Sequence, residues 1–163
     1  ADPRNPKMQI RINGKIKYRE SFRPFAPSVM EEECHKYFER EGRFPYMLQA
    51  QKVKSNRLRF IKNHEMELMD RLSQIRSDIP SVTHVDFSAR IQTVSKTSNP
   101  LFWRLLQKFK KITGYGLLIN TSFNRKDEPI VCTPSDALHC FKLTEMDLLV
   151  IGNTVFKKVP KAS

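Results

Sequence analysis

Three cationic side chains stand close together beside a proline-rich segment near the start of the chain. Lys17, Arg19 and Arg23 fall within the seven residues KYRESFR, and Pro24 and Pro27 follow. Phosphate groups need donors of this kind, because an arginine pairs with two oxygens at once and a lysine supplies a compact charge. Nearby prolines would fix the donors and reduce the entropy lost on binding. The segment predicts an anion-binding site, and a solvated basic turn is the alternative interpretation.

A second group of polar side chains follows the apolar stretch LLI at 117–119. Asn120, Thr121, Ser122 and Asn124 lie within five residues of one another. They stand at the end of a predicted strand, where α/β sheets present their ligand-binding loops. Their amide and hydroxyl groups suit a phosphate, a ribose or a carbamoyl amide. The alternative is a turn in which these side chains only satisfy neighbouring backbone groups.

A third candidate is Arg90 in the segment THVDFSAR, which we predict to be strand, turn and strand, with the turn around Asp86 to Ala89 and Arg90 at the start of the second strand. An arginine where the second strand begins faces either a ligand or a carboxylate, and Asp86 is close enough to be that carboxylate. His84 and Asp86 would share one face of a strand and give two metal ligands. Because the sequence offers no third ligand beside them, we predict no metal site in this chain.

Short catalytic motifs are absent from the sequence. It contains no GxxxxGK[ST] phosphate loop, no GxGxxG turn and no GxSxG elbow. Cys34 and His35 are adjacent, which favours two faces of one helix over a catalytic pair. Residue types and spacing alone therefore indicate only a basic α/β domain that binds an anion.

Composition limits the kinds of protein that this chain can be. Its 163 residues suffice for one domain, and 29 Lys and Arg against 17 Asp and Glu give a formal charge of +12. Such a charge attracts phosphate-bearing partners, whether nucleotides, nucleic acid or an acidic neighbouring domain. The cysteines Cys34, Cys132 and Cys140 have no CxxC spacing, so we expect no disulfide framework and a cytoplasmic location.

The apolar runs of the chain and its first residue bear on two questions, contact with a membrane and whether the sequence is a fragment. No run approaches the roughly twenty apolar residues of a membrane span, so we expect no membrane partner. The sequence begins with Ala1 and no Met, which suggests a fragment of a longer protein.

Apolar spacing predicts the elements in the first half of the chain. Met8, Ile12 and Ile16 recur at helical intervals and predict an amphipathic helix within 6–18. The prolines that follow favour an extended segment, and EEECHKYFE at 31–39 favours a short helix.

The next two segments carry less certain periodicity. Residues 44–54 alternate apolar and polar types, so we predict a strand with Tyr46, Leu48 and Ala50 inward and the Lys and Gln side chains in solvent. The highly charged segment 55–78 predicts an exposed helix or a lid-like insertion.

The second half of the chain has clearer signals. Asn99-Pro100 should cap a helix that Gly114 ends. Its predicted apolar stripe is Leu101, Leu105, Phe109 and Ile112. Thr133 should begin another helix with a capping box, and LLVIGNTVFKKV predicts a hairpin that turns at Gly152-Asn153. Short strands mixed with helices predict an α/β (mixed α+β) fold around a twisted mixed sheet flanked by helices.

Five ordered blocks of sequence resemble one family. They are KYRESFRPFAPSVMEE, IPSVTHVDFSARIQTV, NPLFWRLLQKF, INTSFNRKDEPIVCTPSDAL and LLVIGN. Together they resemble the C-terminal region of the NodU/CmcH family of O-carbamoyltransferases, which includes nodulation and antibiotic-tailoring enzymes. The resemblance covers the chain from Asp2 to about Phe156.

The resemblance implies a fold and a reaction. This part of the family has a YrdC-like fold that binds ATP, with Mg2+, and carbamoyl phosphate, and forms carbamoyl adenylate. A preceding ASKHA-type domain in the same polypeptide holds a transition metal and passes the carbamoyl group to a hydroxyl. Only the adenylate-forming half of the reaction would belong to residues 1–163.

The resemblance also assigns roles to residues. Lys17 and Arg23 would bind phosphates, Arg90 the nucleotide or carbamoyl phosphate, and Asn120 and Ser122 the adenylate. Supporting residues would be Arg19, Thr121 and Asn124. Two positions depart from the family pattern, because Phe87 and Asp127 stand where the family commonly has glycine.

Two other functions remain open at this point. YrdC-like relatives include proteins of tRNA modification, so a basic nucleic-acid-binding module is the main alternative; a domain that only docks to its partner is the other. The clustered site residues favour the enzyme. We expect nucleic acid to bind only nonspecifically, through charge that salt screens.

Overall fold

The computed structural model describes residues 1–59, 67, 72 and 74–159, which form two compact units. Unit 1 contains Ala1–Gln9 and Pro24–Thr121, and unit 2 contains Ile10–Arg23 and Ser122–Ser163. The strands are β1 (Ala26–Met30), β2 (Ala50–Lys52), β3 (Ser88–Arg90), β4 (Gln92–Val94), β5 (Leu117–Asn120), β6 (Leu148–Ile151) and β7 (Thr154–Lys157). The helices are α1 (Met8–Ile12), which continues as a π-helix (Asn13–Lys17), α2 (Cys34–Tyr37), α3 (Pro100–Thr113) and α4 (Pro134–Leu143). Short 3-10 turns occupy Glu31–Glu33, Ser55–Arg57 and Pro80–Val82.

The centre of unit 1 is strand β1, in which all five residues are buried. It pairs in parallel with β4 and antiparallel with β5, so the strand order is β4-β1-β5. A strand that pairs along both edges and is buried on both faces needs side chains that are apolar or whose polar atoms are hydrogen-bonded. The polar exception, Ser28, is buried and donates through Oγ to Gln92 Oε1 at 2.6 Å.

Helix α3 begins and ends where the sequence predicted. The Asn99 side chain accepts a hydrogen bond from the Phe102 backbone N–H, and Gly114 closes the helix with φ 81°. Both caps satisfy backbone groups that a helix end leaves without partners.

The buried face of α3 differs from the predicted stripe. Leu106 is fully buried against Met30 and Val94, whereas Leu101, Leu105 and Ile112 are 77%, 54% and 84% exposed. The predicted stripe is therefore wrong. Helical spacing also fits a face one residue further along, and the sheet selects that face.

Strand β2 is shorter than predicted, and its facing is reversed. It pairs antiparallel with β3 over three residues. Gln51, which the alternation placed in solvent, is buried, while Tyr46 and Leu48 are 79% and 84% exposed. Pairing with β3 begins only at Ala50, so the residues before it lie outside the sheet.

The segment before β3 is a turn, which corrects the predicted strand at His84. The Phe87 backbone N–H donates to the His84 carbonyl oxygen at 3.0 Å, and Phe87 has φ 62°. Arg90 is the last residue of β3 rather than the start of a second strand. Asp127 also has a positive φ, of 61°. These two positions are the ones where the family commonly has glycine, the residue that adopts this conformation without strain.

Unit 2 is built from helix α4 and the β6–β7 hairpin. Thr133 and Asp136 form the predicted capping box at the start of α4. The hairpin turns at Gly152, with φ 57°, as predicted. Ala137 and Phe141 of α4 pack with Leu149 of β6 to form the core of this unit.

The helix predicted within 55–78 is wrong at both ends of the segment. Leu58 and Ser77 form an antiparallel bridge, and the Arg59 backbone N–H donates to Arg76 O at 2.8 Å. In a helix, these backbone groups would instead bond to residues within the same turn of the chain. Most of the central part lies outside the described residues, and the lid-like insertion stays a prediction.

The predicted mixed α/β fold class is confirmed, since helices accompany both parallel and antiparallel strands. The more specific YrdC-like topology stays a prediction. The predicted helix within 6–18 is also confirmed, with a change to π-helix at Asn13.

Two leucines of α3 test which face of this helix is buried. We expect Leu106→Ala to lower the free energy of unfolding by about 2–5 kcal/mol, the usual cost of truncating a buried leucine. Leu105→Ala, its neighbour on the exposed side, should change it by less than about 0.5 kcal/mol. Chemical denaturation of both variants measures the difference, and equal losses would contradict the observed packing.

Candidate functional site

Five cationic side chains surround one cavity in unit 2. The cavity has a volume of about 320 Å³. It is lined by Lys17, Arg19, Glu20, Arg23, Ser122, Asn124, Arg125, Lys126 and Asp127. Five cations face two carboxylates in this lining, and such an excess of positive charge favours an anion.

The Lys17 side chain is buried against the loop that follows β5. Its Nζ atom donates to Ser122 O at 2.8 Å and Ser122 Oγ at 3.1 Å, and to Asn124 O at 2.9 Å and Asn124 Oδ1 at 2.6 Å. An ammonium group has three N–H donors, so these four oxygens occupy all of them. Lys17 therefore contributes its charge to the cavity and holds the loop in place.

Burial lowers the pKa of Lys17 to about 8, and the nearby charge of Arg19 acts in the same direction. The Cys140 thiol opposes the change. At pH 7 the amine still carries its proton, because this pKa lies above 7. Loss of that proton would remove a donor from the four oxygens and a charge from the cavity.

Ser122 and Asn124 form the opposite wall, and both are tied to their neighbours. Ser122 Oγ donates to Asn124 Oδ1 at 2.7 Å, and Asn124 Nδ2 donates to Glu128 O at 2.8 Å. The Lys126 backbone N–H donates to Lys17 O at 3.1 Å. The loop is therefore ordered by its own polar groups, as the turn interpretation predicted, and it still lines the cavity.

Arg125 adds a fixed guanidinium to this wall. It pairs with Glu128 through Nε at 3.0 Å and through a second, shorter contact. Hydrogen bonding to Arg125 holds the pKa of the Glu128 carboxyl below its ordinary value. The pair keeps the guanidinium in position at the rim.

Arg19 and Arg23 form the other basic wall. Arg19 Nε donates to Asn13 Oδ1 at 2.7 Å. Burial and the charge of Arg23 both lower the pKa of Arg19. Arg23 is more exposed, and its Nη1 atom lies 3.9 Å from Glu20 Oε2.

Arg90, Asn120 and Thr121 belong to unit 1. Arg90 is exposed, and among the described residues no side-chain hydrogen bond or ion pair is found for it. The proposed pairing with Asp86 is not observed, since Asp86 accepts from Ser88 Oγ at 2.6 Å and lies 3.6 Å from Lys52 Nζ. The role of Arg90 in ligand binding stays a prediction.

Asn120 is engaged within the sheet of unit 1. Its Nδ2 atom donates to Gln92 Oε1 at 2.9 Å and to Met47 Sδ at 3.4 Å. The same Gln92 oxygen accepts from Ser28, so one amide links three strands. Thr121 follows β5 and is exposed. Their assignment to the adenylate also stays a prediction.

His84 and Asp86 do not share a strand face, because both lie in the turn before β3. Burial lowers the pKa of His84, with the carboxylate of Asp86 opposing and the charge of Arg90 adding to the change. Across the part of the chain that the structure describes, no group of three or more His, Cys, Asp or Glu side chains is placed to hold a metal ion.

The sequence reasoning missed the cations Arg125 and Lys126 of the cavity lining, and Asn13, which bonds to Arg19. It also did not assign the lining carboxylates Glu20 and Asp127 to the site. The run RKD after NTSFN gave a signal for Arg125 and Lys126. Asn13 stands four residues before Lys17 in a predicted helix and precedes a glycine. Asparagine is a poor residue for a helix interior, and its presence there was the available signal.

The cavity of unit 2 gathers guanidinium, ammonium, hydroxyl and amide groups, a set of donors that suits an anion, within a mixed α/β fold. Comparison with known families then specifies which kind of protein this is. The family model described as Carbamoyltransferase C-terminus matches residues 1–158. The chain therefore belongs to this family, which confirms the resemblance of the five sequence blocks.

Three of the similar proteins come from Synechocystis, Sinorhizobium fredii and Streptomyces clavuligerus. The chain is 52% identical over 161 residues to protein sll1178 of Synechocystis, with 97% of the chain and 26% of that protein covered. It is 39% identical over 161 residues to nodulation protein NolNO of Sinorhizobium fredii, with 97% and 21% covered. It is 33% identical over 144 residues to a 3'-hydroxymethylcephem-O-carbamoyltransferase of Streptomyces clavuligerus, with 88% and 24% covered.

The chain spans about a quarter of the length of these relatives. No helix among the described residues is both long enough and apolar enough to cross a bilayer.

The contacts of Lys17 predict how the loop responds to its loss. Lys17→Met keeps the length of the side chain and removes the donors. Since a hydrogen bond to a charged group contributes about 1.5–3 kcal/mol, we expect backbone hydrogen exchange at Lys126 and Val131 to quicken by about 10-fold or more. Their amides donate to Lys17 O and Phe123 O.

The matched control for this variant is Lys15→Met in the same π-helix. Lys15 is about half exposed and pairs with Glu145 at 2.6 Å, and surface pairs of this kind contribute little. Exchange at Lys126 and Val131 should remain as in the unchanged protein. Equal acceleration by the two variants would contradict a specific role for Lys17.

Proposed function

We propose that this chain is the nucleotide-handling part of an O-carbamoyltransferase, and that its cavity binds the phosphate groups of ATP and carbamoyl phosphate. The observation that carries the proposal is the cluster of five cations with Ser122 and Asn124 around one cavity of unit 2. Membership of the family supports carbamoyl transfer as the chemistry. The relative from Streptomyces clavuligerus is by name such an enzyme.

The residues of the cavity suit a reaction between two phosphate-bearing substrates. ATP and carbamoyl phosphate are both anions that repel each other in water. Fixed cations such as Arg19, Arg23 and Arg125 offset that repulsion and hold the reacting groups near each other. In the proposed reaction, water cleaves carbamoyl phosphate to carbamate and phosphate, and a carbamate oxygen then displaces pyrophosphate from the α-phosphorus of ATP, which gives carbamoyl adenylate. The side chains bind and orient the substrates, and none of them needs to form a covalent intermediate.

Magnesium would arrive with the nucleotide. Mg2+ prefers one or two carboxylates together with phosphate oxygens and water, and Glu20 and Asp127 are the carboxylates in the cavity lining. The residues present therefore fit an ion bound mainly to the phosphates. The ion would neutralise phosphate charge.

The second half of the reaction is proposed for a different part of the polypeptide. The family resemblance implies an ASKHA-type domain that holds a transition metal and transfers the carbamoyl group to a hydroxyl. We expect residues 1–163 alone to bind ATP without carbamoylating an alcohol. The acceptor alcohol is a property of that other domain.

The nucleic-acid alternative makes a different demand on the surface. Single-stranded nucleic acid is bound through aromatic side chains that stack on bases as well as through cations. The described lining of the cavity is polar and charged and includes no aromatic residue, which favours phosphate groups over bases. A tight complex with one RNA sequence that persists at high salt would instead support the alternative.

Arg23 gives the sharpest test of the proposed site. We expect Arg23→Ala to weaken binding of ATP or carbamoyl phosphate by about 1.5–3 kcal/mol, the contribution of a hydrogen bond to a charged group. The melting temperature without ligand should stay level or rise slightly, because Arg23 is 54% exposed and adds to the repulsion among the cations. Titration calorimetry and thermal unfolding measure the two quantities.

Arg11→Ala is the matched control. Arg11 lies in the same unit, is 50% exposed and pairs with Asp147 at 3.1 Å, but it does not line the cavity. Its removal should leave ATP affinity unchanged. Unchanged affinity in Arg23→Ala together with a large loss of stability would show that Arg23 is structural.

The pKa of Lys17 predicts a pH dependence of binding. An anion favours the protonated amine, so affinity for ATP should be nearly constant around pH 7 and fall as the pH rises through about 8. The phosphates of ATP are ionised throughout this range, since a phosphate monoester has its second pKa at about 6. Titrations at several pH values would show the fall, and Lys17→Met should bind more weakly at pH 7 with the step near pH 8 removed. A step that persists in the variant would assign it to another group.

A further inference from the structure

Asn13 is a fully buried polar residue at the start of the π-helix. Its exposed fraction is 0%. The side chain accepts from Arg19 Nε through Oδ1 at 2.7 Å and donates through Nδ2 to Ser21 O at 3.0 Å and Arg23 O at 2.8 Å. Its backbone carbonyl accepts from the N–H groups of Tyr18 and Arg19. One buried residue therefore contacts most of the segment 18–23.

The orientation of the Asn13 amide follows from its neighbours. Two backbone carbonyl oxygens need donors and can be served only by the NH2 group, while a guanidinium N–H needs an acceptor and can be served only by the oxygen. The opposite orientation would bring oxygen against oxygen. Because a buried polar group without partners is costly, the contacts fix both the amide and the segment around it.

The segment needs such an anchor because it carries like charges. Arg19 and Arg23 face the same cavity, and the charge of Arg23 lowers the pKa of Arg19. Like charges repel, so two guanidinium groups beside one cavity tend to separate. A buried amide bonded to one guanidinium and to the backbone of both ends of the segment opposes that separation before any anion arrives.

We propose that Asn13 is a positioning residue, whose buried side chain holds Arg19 and the backbone at Ser21 and Arg23 so that the basic wall of the cavity is formed in advance of ligand binding. The inference rests on the proposed binding of phosphate groups in this cavity. Pre-formed geometry reduces the entropy lost on binding, so Asn13 should raise the affinity of the cavity for its ligand. It also explains a buried asparagine in a helix, where this residue is otherwise unfavourable.

A double-mutant cycle on the 163-residue chain tests the inference, with ATP as the probe and titration calorimetry as the measurement. Asn13→Ala and Arg19→Ala should each raise the dissociation constant by about 10-fold, the effect of losing one charged contact. If Asn13 acts through Arg19, the double variant should fall well short of the roughly 100-fold that independent effects give. A fully additive double variant, or Asn13→Ala with unchanged affinity, overturns the inference.

Ile12→Ala distinguishes positioning from general stability. Ile12 is the neighbouring residue, is 5% exposed and is apolar, so its truncation weakens the same helix without touching the polar contacts. At the same loss of melting temperature, Ile12→Ala should bind ATP within about 2-fold of the unchanged chain, since it leaves the charged contacts in place. An equal loss of affinity in Ile12→Ala and Asn13→Ala would make Asn13 merely structural and overturn the inference.

A measurement on the unchanged chain covers the case in which Asn13→Ala does not fold. The Arg19 Nε–H should give a slowly exchanging NMR signal without ATP, because it is already bonded to Asn13 Oδ1. A signal that is protected only after ATP is added overturns the inference while leaving the proposed function intact. If the unchanged chain binds neither ATP nor carbamoyl phosphate, the proposed function fails, and the inference about affinity fails with it.

Discussion

The hydrogen bonds of the Lys17 ammonium group are the interaction on which the candidate site depends. They join Lys17 to Ser122 and Asn124, which are 105 and 107 residues further along the chain. A buried cation is costly unless its donors are used, and here four oxygens of one loop use them. The same contacts thus settle the position of the cation and the shape of the wall opposite it.

This arrangement divides the tasks among the cations of the cavity. Lys17 donates its hydrogen bonds to the loop, and Arg125 pairs with Glu128. Arg23 is the most exposed of the three arginines in the cavity lining, and its Nη1 atom lies 3.9 Å from Glu20 Oε2. Lys17 and Arg125 thus maintain the geometry of the cavity, while Arg23 presents its charge at the protein surface.

Much of the fold was readable from the sequence where local chemistry decides the outcome. Caps formed at Asn99 and Thr133 because an adjacent side chain satisfies the free N–H groups of a helix start. The turn at Gly152 formed where glycine tolerates a positive φ. The register of α3 was not readable, because the choice between Leu105 and Leu106 as the buried residue depends on a sheet made from distant segments.

The residues of the site show the same difference between what local chemistry predicts and what depends on distant packing. Lys17, Arg23 and Ser122 were found by residue type and by family resemblance, and the structure places them around one cavity. Asn13 was missed because its function comes from burial, which a sequence pattern of period 3.6 does not reveal for a polar residue. The turn before β3 was also misjudged, since alternation of residue types suggested a strand at His84 where the backbone reverses.

The division of unit 2 between two distant stretches of the chain has a consequence for folding. Residues 10–23 cannot find their partners until the stretch from 122 onward has been made, and about a hundred residues of unit 1 lie between them. The entropy of closing such a loop grows only with the logarithm of its length, by about 0.6 kcal/mol per doubling, but the search slows folding because the contacts are non-local. During synthesis on the ribosome, residues 10–23 therefore emerge well before their partners from 122 onward, so unit 2 and its cavity form only after most of unit 1 has been made.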